Sequence, residues 1–333
     1  MVFAMLPAYM SSDEWQLSVN CAIGEKMIHV EPQSGIRSAP LLPTTTTLGP
    51  VRLAVTHRAQ ALAIWQDVVG LDLIGEDSEK LELGVGGRVL IVLELGARLP
   101  VVERTTGLYH VAIHVPTRLD FAHFLVRALQ RRVRVSPTDH LVSEAIYLWD
   151  LDGNGIEITF ETPWRGTLGD PDSGSYATTV DGKPHSGREP IDVDGLLAEI
   201  TGDVNQVPAR MVPGTRIGHV HVHVNSLTDA MRFYRDGLGF GGLFIITSFG
   251  MGDVGLDYTP HAIAFNILAG PNAKPAPDGA AGLRWFGVVV PDVKTLNEVR
   301  GRLTALGVAI TDTNEGLEVR DPSQNLVKVS VAA

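Results

Sequence analysis

The sequence predicts an α+β fold built from four copies of one βαβββ unit. Three observations lead to this prediction: each copy opens with a short strand of alternating side chains, an amphipathic helix follows, and further short strands follow the helix. Because 333 residues exceed what one small core needs, an internally repeated structure is expected.

The predicted elements occur in the same order in every copy. Opening strands are predicted at 51–55, 109–115, 219–224 and 285–290. Helices are predicted at 59–69, 119–131, 227–237 and 293–306. Glycines near three of the helix ends, Gly70, Gly237 and Gly307, are typical of helix C-termini. Later strands are predicted at 88–95, 145–149, 155–160, 262–268, 316–320 and 326–331.

Composition divides the chain into four segments. Residues 1–46 carry four methionines and end in a Pro- and Thr-rich stretch, which favours a disordered tail or a start codon assigned too early. Segment 47–162 holds the first two units, and segment 213–333 holds the other two. Segment 163–212 is rich in Gly, Pro, Asp and Ser, which predicts a linker with one short helix at 193–200.

Charge and hydropathy exclude several classes of function. A net charge of −11 argues against nucleic acid or an anionic membrane as a partner. The sequence has no apolar stretch of about 18 residues, so no transmembrane helix is expected. Cys21 is the only cysteine, which excludes an internal disulfide and fits a protein of the reducing cytoplasm. The sequence leaves open whether the protein forms a homo-oligomer.

Five stretches of sequence are long enough to be specific. They are TGLYH at 106–110, DHLVSEAIY at 139–147, DGNGIE at 152–157, IGHVHVHV at 217–224 and FNILAG at 265–270. Together with the four units, they resemble the vicinal-oxygen-chelate superfamily of glyoxalases, bleomycin resistance proteins and extradiol dioxygenases, and most closely its four-module catechol 2,3-dioxygenases. The resemblance covers about residues 47–331. It implies two cup-shaped mixed sheets with helices outside, and two such domains at 47–162 and 213–333.

Alternation along the strands predicts which side chains line a cup. Side chains of a strand point to opposite faces with period two. In the second unit, His110 and His114 oppose an apolar row, and in the third unit His219, His221 and His223 oppose a row of valines. The apolar rows are expected to pack on the helices, so the histidines should line the cup.

The last strands of the units extend this prediction. Glu157 opposes the apolar residues of its strand, so it also faces the cup. Aligning 321–329 with 150–159 sets Val327 near the position of Glu157, so the fourth unit should lack a carboxylate. The cup-side residues of the first and fourth units include Arg52 and Trp285, and no plausible metal ligand.

The distribution of ligands predicts how the units pair. Pairing the first unit with the second would leave each cup with an incomplete ligand set, whereas pairing the second with the third joins His110, His219 and Glu157. The first and fourth units would then form a cup without metal. By resemblance, the three residues bind one divalent metal, Fe(II) or alternatively Mn(II), and leave positions open for substrate and dioxygen.

The resemblance also implies catalytic roles for three residues. Tyr147 would hydrogen-bond a substrate oxygen, His140 would close over the substrate or donate a hydrogen bond, and His261 would exchange protons near the dioxygen site. Each residue also has an alternative without a catalytic role: Tyr147 as a half-buried strand aromatic, His140 as a solvated loop histidine and His261 as a structural histidine. The chain lacks the consecutive histidines usual before His261, and Leu151 stands where proline is usual.

Further residues are weaker candidates. His221 and His223 are expected to orient ligands or substrate. Candidates for the walls of the cup are Trp149, Phe249, Met251 and Trp285.

The function implied by the resemblance is extradiol cleavage of a small aromatic diol with dioxygen, by an oxidoreductase similar to catechol 2,3-dioxygenases. One alternative is a glyoxalase-like isomerase or lyase, which would need a fourth protein ligand; segment 261–266 offers no acid for it. Another is a binding protein, for example for an antibiotic, with a cup and no metal. Metal content and oxygen uptake separate the three.

Overall fold

The computed structural model describes residues 37–168, 177–256 and 261–332. The first unit contains β1 (Thr47–Val55), α1 (Arg58–Trp65), β2 (Asp72–Glu76), β3 (Lys80–Val85) and β4 (Arg88–Leu95). The second unit contains β5 (Thr105–His114), α2 (Arg118–Gln130), β6 (Ser136–Asp139), β7 (Ser143–Trp149) and β8 (Gly155–Glu161). Each is a βαβββ unit, as predicted.

A connecting segment separates the two halves of the chain. It contains a 3-10 turn (Pro163–Arg165), β9 (Gly166–Leu168), β10 (Ala177–Thr179), β11 (Pro184–His185) and α3 (Val193–Leu197). The three short strands form a small sheet of their own. The predicted helix at 193–200 is present but ends at Leu197.

The third and fourth units repeat the pattern. The third contains β12 (Arg216–His223), α4 (Leu227–Met231), a π-helix (Arg232–Leu238), β13 (Gly241–Ile246), a 3-10 turn (Thr247–Phe249), β14 (Met251–Gly255), β15 (His261–Asn266) and β16 (Lys274–Pro275). The fourth contains β17 (Gly282–Val290), α5 (Val293–Ala305), β18 (Ile310–Thr313), β19 (Gly316–Arg320) and β20 (Leu326–Val331). No helix among the described residues is long and apolar enough to cross a membrane.

Two large mixed sheets, neither closed into a barrel, organise these units. The nine-stranded histidine sheet has the order β13-β14-β15-β12-β5-β8-β7-β6, with β16 beside β5, and joins the third unit to the second. The eight-stranded companion sheet has the order β18-β19-β20-β17-β1-β4-β3-β2 and joins the fourth unit to the first. The predicted pairing of the second unit with the third is therefore confirmed.

The apolar rows of the central strands face the helices. Val111 and Ile113 on β5 and Val220 and Val222 on β12 are fully buried. Thr117 caps the N-terminus of helix α2, because its hydroxyl accepts from the backbone N–H of Asp120, and the helix buries its aromatic and leucine face against the sheet. The histidines of β5 and β12 therefore point to the opposite, cup-side face.

Two equivalent turns hold together the units of each half. After β7, Asp150 accepts a hydrogen bond at 3.1 Å from the Trp65 indole N–H of the first unit. After β19, Asp321 accepts one at 2.8 Å from the Tyr234 hydroxyl of the third unit. Within each turn an asparagine amide donates to the same aspartate. The halves thus stay linked although their units belong to different sheets.

The equivalence of these turns corrects one prediction. Because Asp150 corresponds to Asp321, the residue that corresponds to Glu157 is Lys328. Val327 faces the core and is fully buried, whereas the Lys328 ammonium lies 4.8 Å from the centre of the Trp285 ring. The prediction of Val327 was therefore wrong by one position, because nine residues, 321–329, were aligned with ten, 150–159. The fourth unit still lacks a carboxylate there.

The chain enters the fold before the first unit. Residues 1–36 of the predicted tail lie outside the described residues. The backbone N–H of Ser38 donates to Gly242 at 3.0 Å and that of Leu41 to Gly239 at 2.8 Å, and Leu42 is buried. Residues 37–46 therefore pack on the third unit.

The Tyr234–Asp321 bond gives a test of the linking turns. Tyr234→Phe removes one hydrogen bond while Asp321 keeps those from Ser323 and Asn325. We expect the free energy of unfolding to fall by about 1 kcal/mol, the usual net value of one buried hydrogen bond. Urea denaturation followed by fluorescence measures it. A stability equal to that of the wild type would show that the bond does not hold the third and fourth units together.

Candidate metal centre

Three strands of the histidine sheet bring the predicted ligands together. β5 carries His110, its parallel neighbour β8 carries Glu157, and its antiparallel neighbour β12 carries His219. Glu157 Oε2 lies 2.8 Å from His110 Nε2 and 3.0 Å from His219 Nε2, and the two imidazole nitrogens are 3.1 Å apart. Three donor atoms thus converge on one point of the cup.

The electrostatics of this cluster suit a cation. All three side chains are buried, and Glu157 is only 2% exposed. Burial by itself would raise the pKa of Glu157, but His219 and His110 hold that pKa well below its usual value. Burial lowers the pKa of His110, which favours the neutral imidazole that binds metals. The Thr159 hydroxyl donates to Glu157 Oε1 at 2.9 Å, which leaves Oε2 facing the histidines.

The companion sheet offers an internal comparison. Asn154 and Asn325 occupy equivalent positions in the two turns. The Asn154 amide donates to the Ala54 carbonyl, and the Asn325 amide donates to the His223 carbonyl. Ala54 therefore corresponds to His223. By this register Pro50 stands where the histidine sheet has His219. The positions of His110 and Glu157 are taken there by Trp285 and Lys328. The same scaffold therefore exists in this chain with every one of the three donors replaced, so the fold itself does not require them.

A cavity opens directly onto the cluster. Residues of the second unit, the third unit and the connecting segment together line it. The predicted residues His140, Tyr147, His221 and His261 line it. Its apolar walls come from Val142, Pro163, Leu168, Met251 and Ala264.

His140 and Tyr147 face the cavity as a hydrogen-bonded pair. His140 Nε2 lies 2.9 Å from the Tyr147 hydroxyl, and His140 Nδ1 lies 2.5 Å from the carbonyl oxygen of Gly187. Because a carbonyl only accepts, His140 donates from Nδ1, and its Nε2 accepts from the tyrosine when the ring is neutral. Burial lowers the pKa of His140, which favours that neutral form.

The connecting segment supplies a wall that the sequence did not predict. The Asp139 carboxylate binds Arg165 at 2.6 Å, and its backbone N–H donates to the Glu189 carbonyl at 2.7 Å. These contacts fold the segment over β6 and bring Gly187 and Arg188 to the cavity. Contacts between residues so far apart in the chain leave no local pattern.

His261 stands against the cluster from the other side. Its ring centre lies 4.2 Å from that of His219, and burial holds its pKa well below the usual value. Behind it, Asp253 Oδ2 lies 3.4 Å from His261 Nδ1. Asp253 is fully buried, neither carboxyl oxygen has a hydrogen-bond partner among the described residues, and burial raises its pKa to about 8. The sequence analysis missed this residue, although an acid within an apolar strand was a visible signal.

Asn266 fixes the two remaining candidate histidines. Its amide donates to His221 Nε2 at 2.8 Å, and its oxygen accepts from His223 Nδ1 at 2.8 Å. His221 lines the cavity, whereas His223 faces a separate groove between the sheets. Only His221 is therefore positioned to meet a bound molecule.

Of the four residues predicted as walls of the cup, some line the cavity and others lie elsewhere. Met251 lines the cavity. Trp149 is 46% exposed and faces the separate groove, and Trp285 belongs to the companion sheet. Phe249 packs under the Arg188 guanidinium at 4.7 Å. Leu151, which replaces the usual proline, is 62% exposed on a turn whose hydrogen bonds to Asp150 are intact.

Comparison with known proteins gives matches in sequence and in structure. The model of the Glyoxalase/Bleomycin resistance protein/Dioxygenase superfamily matches residues 216–329. A catechol-2,3-dioxygenase of Bacillus subtilis (strain 168) is 35% identical over 280 residues, which cover 83% of this chain and 94% of that protein.

Two solved structures are similar in fold. A provisionally assigned dioxygenase from Bacillus subtilis has a TM-score of 0.56 at 12% identity, covering 86% of this chain and 84% of that one. Glyoxalase I from Zea mays has a TM-score of 0.54 at 14% identity, covering 86% and 92%. At this identity they establish the architecture of paired βαβββ units.

Asp253 gives a prediction about pH. The folded protein holds its proton up to about pH 8, whereas an unfolded aspartate releases it near pH ~4. The free energy of unfolding should therefore fall as pH rises between these values. Asp253→Asn removes this dependence, so its stability relative to the wild type should increase from pH 5 to pH 8, by at most about 1.4 kcal/mol per pH unit.

Denaturant titrations at several pH values measure this difference. Asp67→Asn, at a partly exposed aspartate, is measured in parallel as the control for the loss of one carboxylate. A constant difference between Asp253→Asn and the wild type would mean that Asp253 is already ionised in the folded protein.

Proposed function

This chain belongs to the glyoxalase/bleomycin resistance protein/dioxygenase superfamily, and on that premise we propose that it cleaves a catechol-type aromatic diol by extradiol insertion of dioxygen. It is an oxidoreductase of the dioxygenase class. The observation that carries the proposal is the convergence of His110, His219 and Glu157 at the floor of a cavity that His261 and Tyr147 also line.

The donor set fits a mononuclear divalent metal. His110, His219 and Glu157 would hold it, with Fe(II) as the proposed ion and Mn(II) as the alternative. When bound, the metal would act as a Lewis acid that makes the diol more acidic and holds diol and dioxygen together. Three protein ligands leave positions free for both reactants.

Tyr147 is suited to orient the diol. Its hydroxyl faces the cavity, and His140 Nε2 lies 2.9 Å away, while His140 is anchored to the Gly187 carbonyl. A hydroxyl held in this way can hydrogen-bond a substrate oxygen at a defined position. A defined position reduces the entropy that the reactants lose on reaching the reactive geometry.

His261 is suited to accept a proton from the diol. Because burial holds its pKa well below the usual value, the ring is neutral at neutral pH and offers a nitrogen lone pair. Its ring packs against His219, so it lies beside the proposed metal rather than at the cavity mouth. General-base catalysis by such a group contributes typically ~10²–10⁴-fold in rate.

The apolar walls complete the proposed site. Leu168 from the connecting segment and Met251 from β14 contribute to these walls. Excluding water in this way strengthens every electrostatic contact inside and limits the hydrolysis of reactive species. An aromatic ring also gains from burial against such walls.

Oxygen uptake tests the proposed function directly. Protein loaded anaerobically with Fe(II) should consume dioxygen when catechol is added and form a yellow ring-opened product. His219→Ala and Glu157→Gln should abolish both signals, because each removes a proposed ligand. His57→Ala, at an exposed histidine, is the matched control and should keep full activity. Tight metal binding without oxygen uptake would contradict extradiol cleavage and favour another reaction of the superfamily.

The two residues proposed to act on the diol give a second test. His261→Gln and Tyr147→Phe should each lower kcat by about 10²-fold or more while the affinity for the metal stays unchanged, because neither residue is a proposed ligand. Steady-state kinetics and metal titration together measure this. Loss of metal from either variant would instead assign the residue to the structure of the metal site.

A further inference from the structure

His219 makes different contacts through its two ring nitrogens. Nε2 faces Glu157 and His110, where the proposed metal would bind. Nδ1 faces away from that point and lies 3.4 Å from His114 Nε2. Both rings are buried, with His219 4% and His114 3% exposed. The outer nitrogen of the ligand is therefore contacted by a second histidine inside the protein.

The contacts continue outward from His114. Its Nδ1 lies 2.5 Å from Glu161 Oε1, although the two groups are not aligned for a hydrogen bond in this structure. Glu161 is in turn 3.3 Å from the guanidinium of Arg216, the first residue of β12. A row of four side chains thus runs from the proposed metal position to the surface, in the order His219, His114, Glu161 and Arg216.

The positions of the protons along this row follow from the metal. An imidazole that binds a metal through Nε2 carries its only proton on Nδ1. That proton faces His114 Nε2, which must then accept it, so the His114 proton must be on Nδ1, against Glu161. His114 and Arg216 hold the pKa of Glu161 below its usual value despite burial, which favours the carboxylate that this arrangement needs.

We propose that His114 and Glu161 are a positioning pair that holds His219 with its proton on Nδ1 and its Nε2 lone pair directed at the metal. The inference rests on the metal site of the proposed function and not on the identity of the substrate. Both residues also line the cavity, but in this role they act on the ligand His219 and not on the substrate. Their effect reaches the metal through the orientation and basicity of one ligand.

The companion sheet argues against a purely structural role for this pair. By the register that equates His110 with Trp285 and Glu157 with Lys328, His114 corresponds to Val289 and Glu161 to Ala332. The same scaffold position is therefore filled by small apolar residues where no ligand needs support. Burying a histidine and a carboxylate costs desolvation energy that Val289 and Ala332 avoid.

Metal titration of the apo-protein with Mn(II) and Zn(II), without substrate, tests the pair. Glu161→Gln should raise the Kd for both ions by about 10–100-fold, the range typical of residues that support metal ligands. Glu144→Gln is the control, because Glu144 lies in the same sheet but binds Arg118 instead of a histidine, and its side chain is 7% exposed against 24% for Glu161. It should leave the Kd unchanged.

Two variants of His114 refine the test. His114→Leu, which imitates the companion sheet, should raise the Kd at least as much as Glu161→Gln. His114→Gln keeps an acceptor for His219 Nδ1 but loses the link to Glu161, so its Kd should fall between those of wild type and His114→Leu. If thermal melting shows that Glu161→Gln does not fold, the Kd of His114→Gln tests the pair in its place.

The outcomes separate this inference from the proposed function. Kd values of Glu161→Gln and His114→Leu within twofold of the wild type would overturn the positioning pair, even if the enzyme cleaves catechol. A wild type that binds metal without cleaving catechol, combined with weakened binding in the variants, would overturn the function and support the pair. A wild type that binds no divalent metal would overturn both.

Discussion

The antiparallel pairing of β5 with β12 is the constraint on which the site depends. It joins one strand from each half of the chain and sets Ala112 opposite His219 and His110 opposite His221. The parallel neighbour β8 then sets Glu157 beside Ala112. Because side chains alternate along a strand, a slip of one residue would turn every histidine toward the helices. The buried valines of both strands oppose that slip, since it would expose them.

The two sheets separate what the fold requires from what the chemistry requires. Where the histidine sheet has His221 bonded to Asn266, the companion sheet has an Arg52–Glu94 ion pair at the corresponding positions. Both sheets thus pair polar side chains across those strands. Among the described residues, only the histidine sheet brings together side chains that each offer a free lone pair to a metal. The histidine sheet tolerates a fully buried Asp253 and a buried His114, and such costs are concentrated at functional sites.

The sequence predicted the parts of the molecule that follow from local periodicity. Alternation with period two gave the cup-side face of His110 and His219, and the uneven distribution of ligands among units gave their pairing across the halves. The Val327 error arose because nine residues, 321–329, were aligned with ten, 150–159, whereas the Asp and Asn that the two turns share align Glu157 with Lys328. Gly187 reaches the cavity through contacts that span the connecting segment, and the burial of Asp253 depends on strands that close over it. No local pattern encodes those distances.

The topology makes the site depend on the whole chain. The turns at Asp150 and Asp321 link the units within each half, whereas the sheets link units across the halves. Neither half alone contains both β5 and β12, so neither half alone brings His110 and Glu157 to His219. A metal bound by these residues binds the folded chain far more tightly than the unfolded one, and mass action then stabilises both sheets together. Occupancy of the proposed site therefore reports that the second and third units are correctly paired.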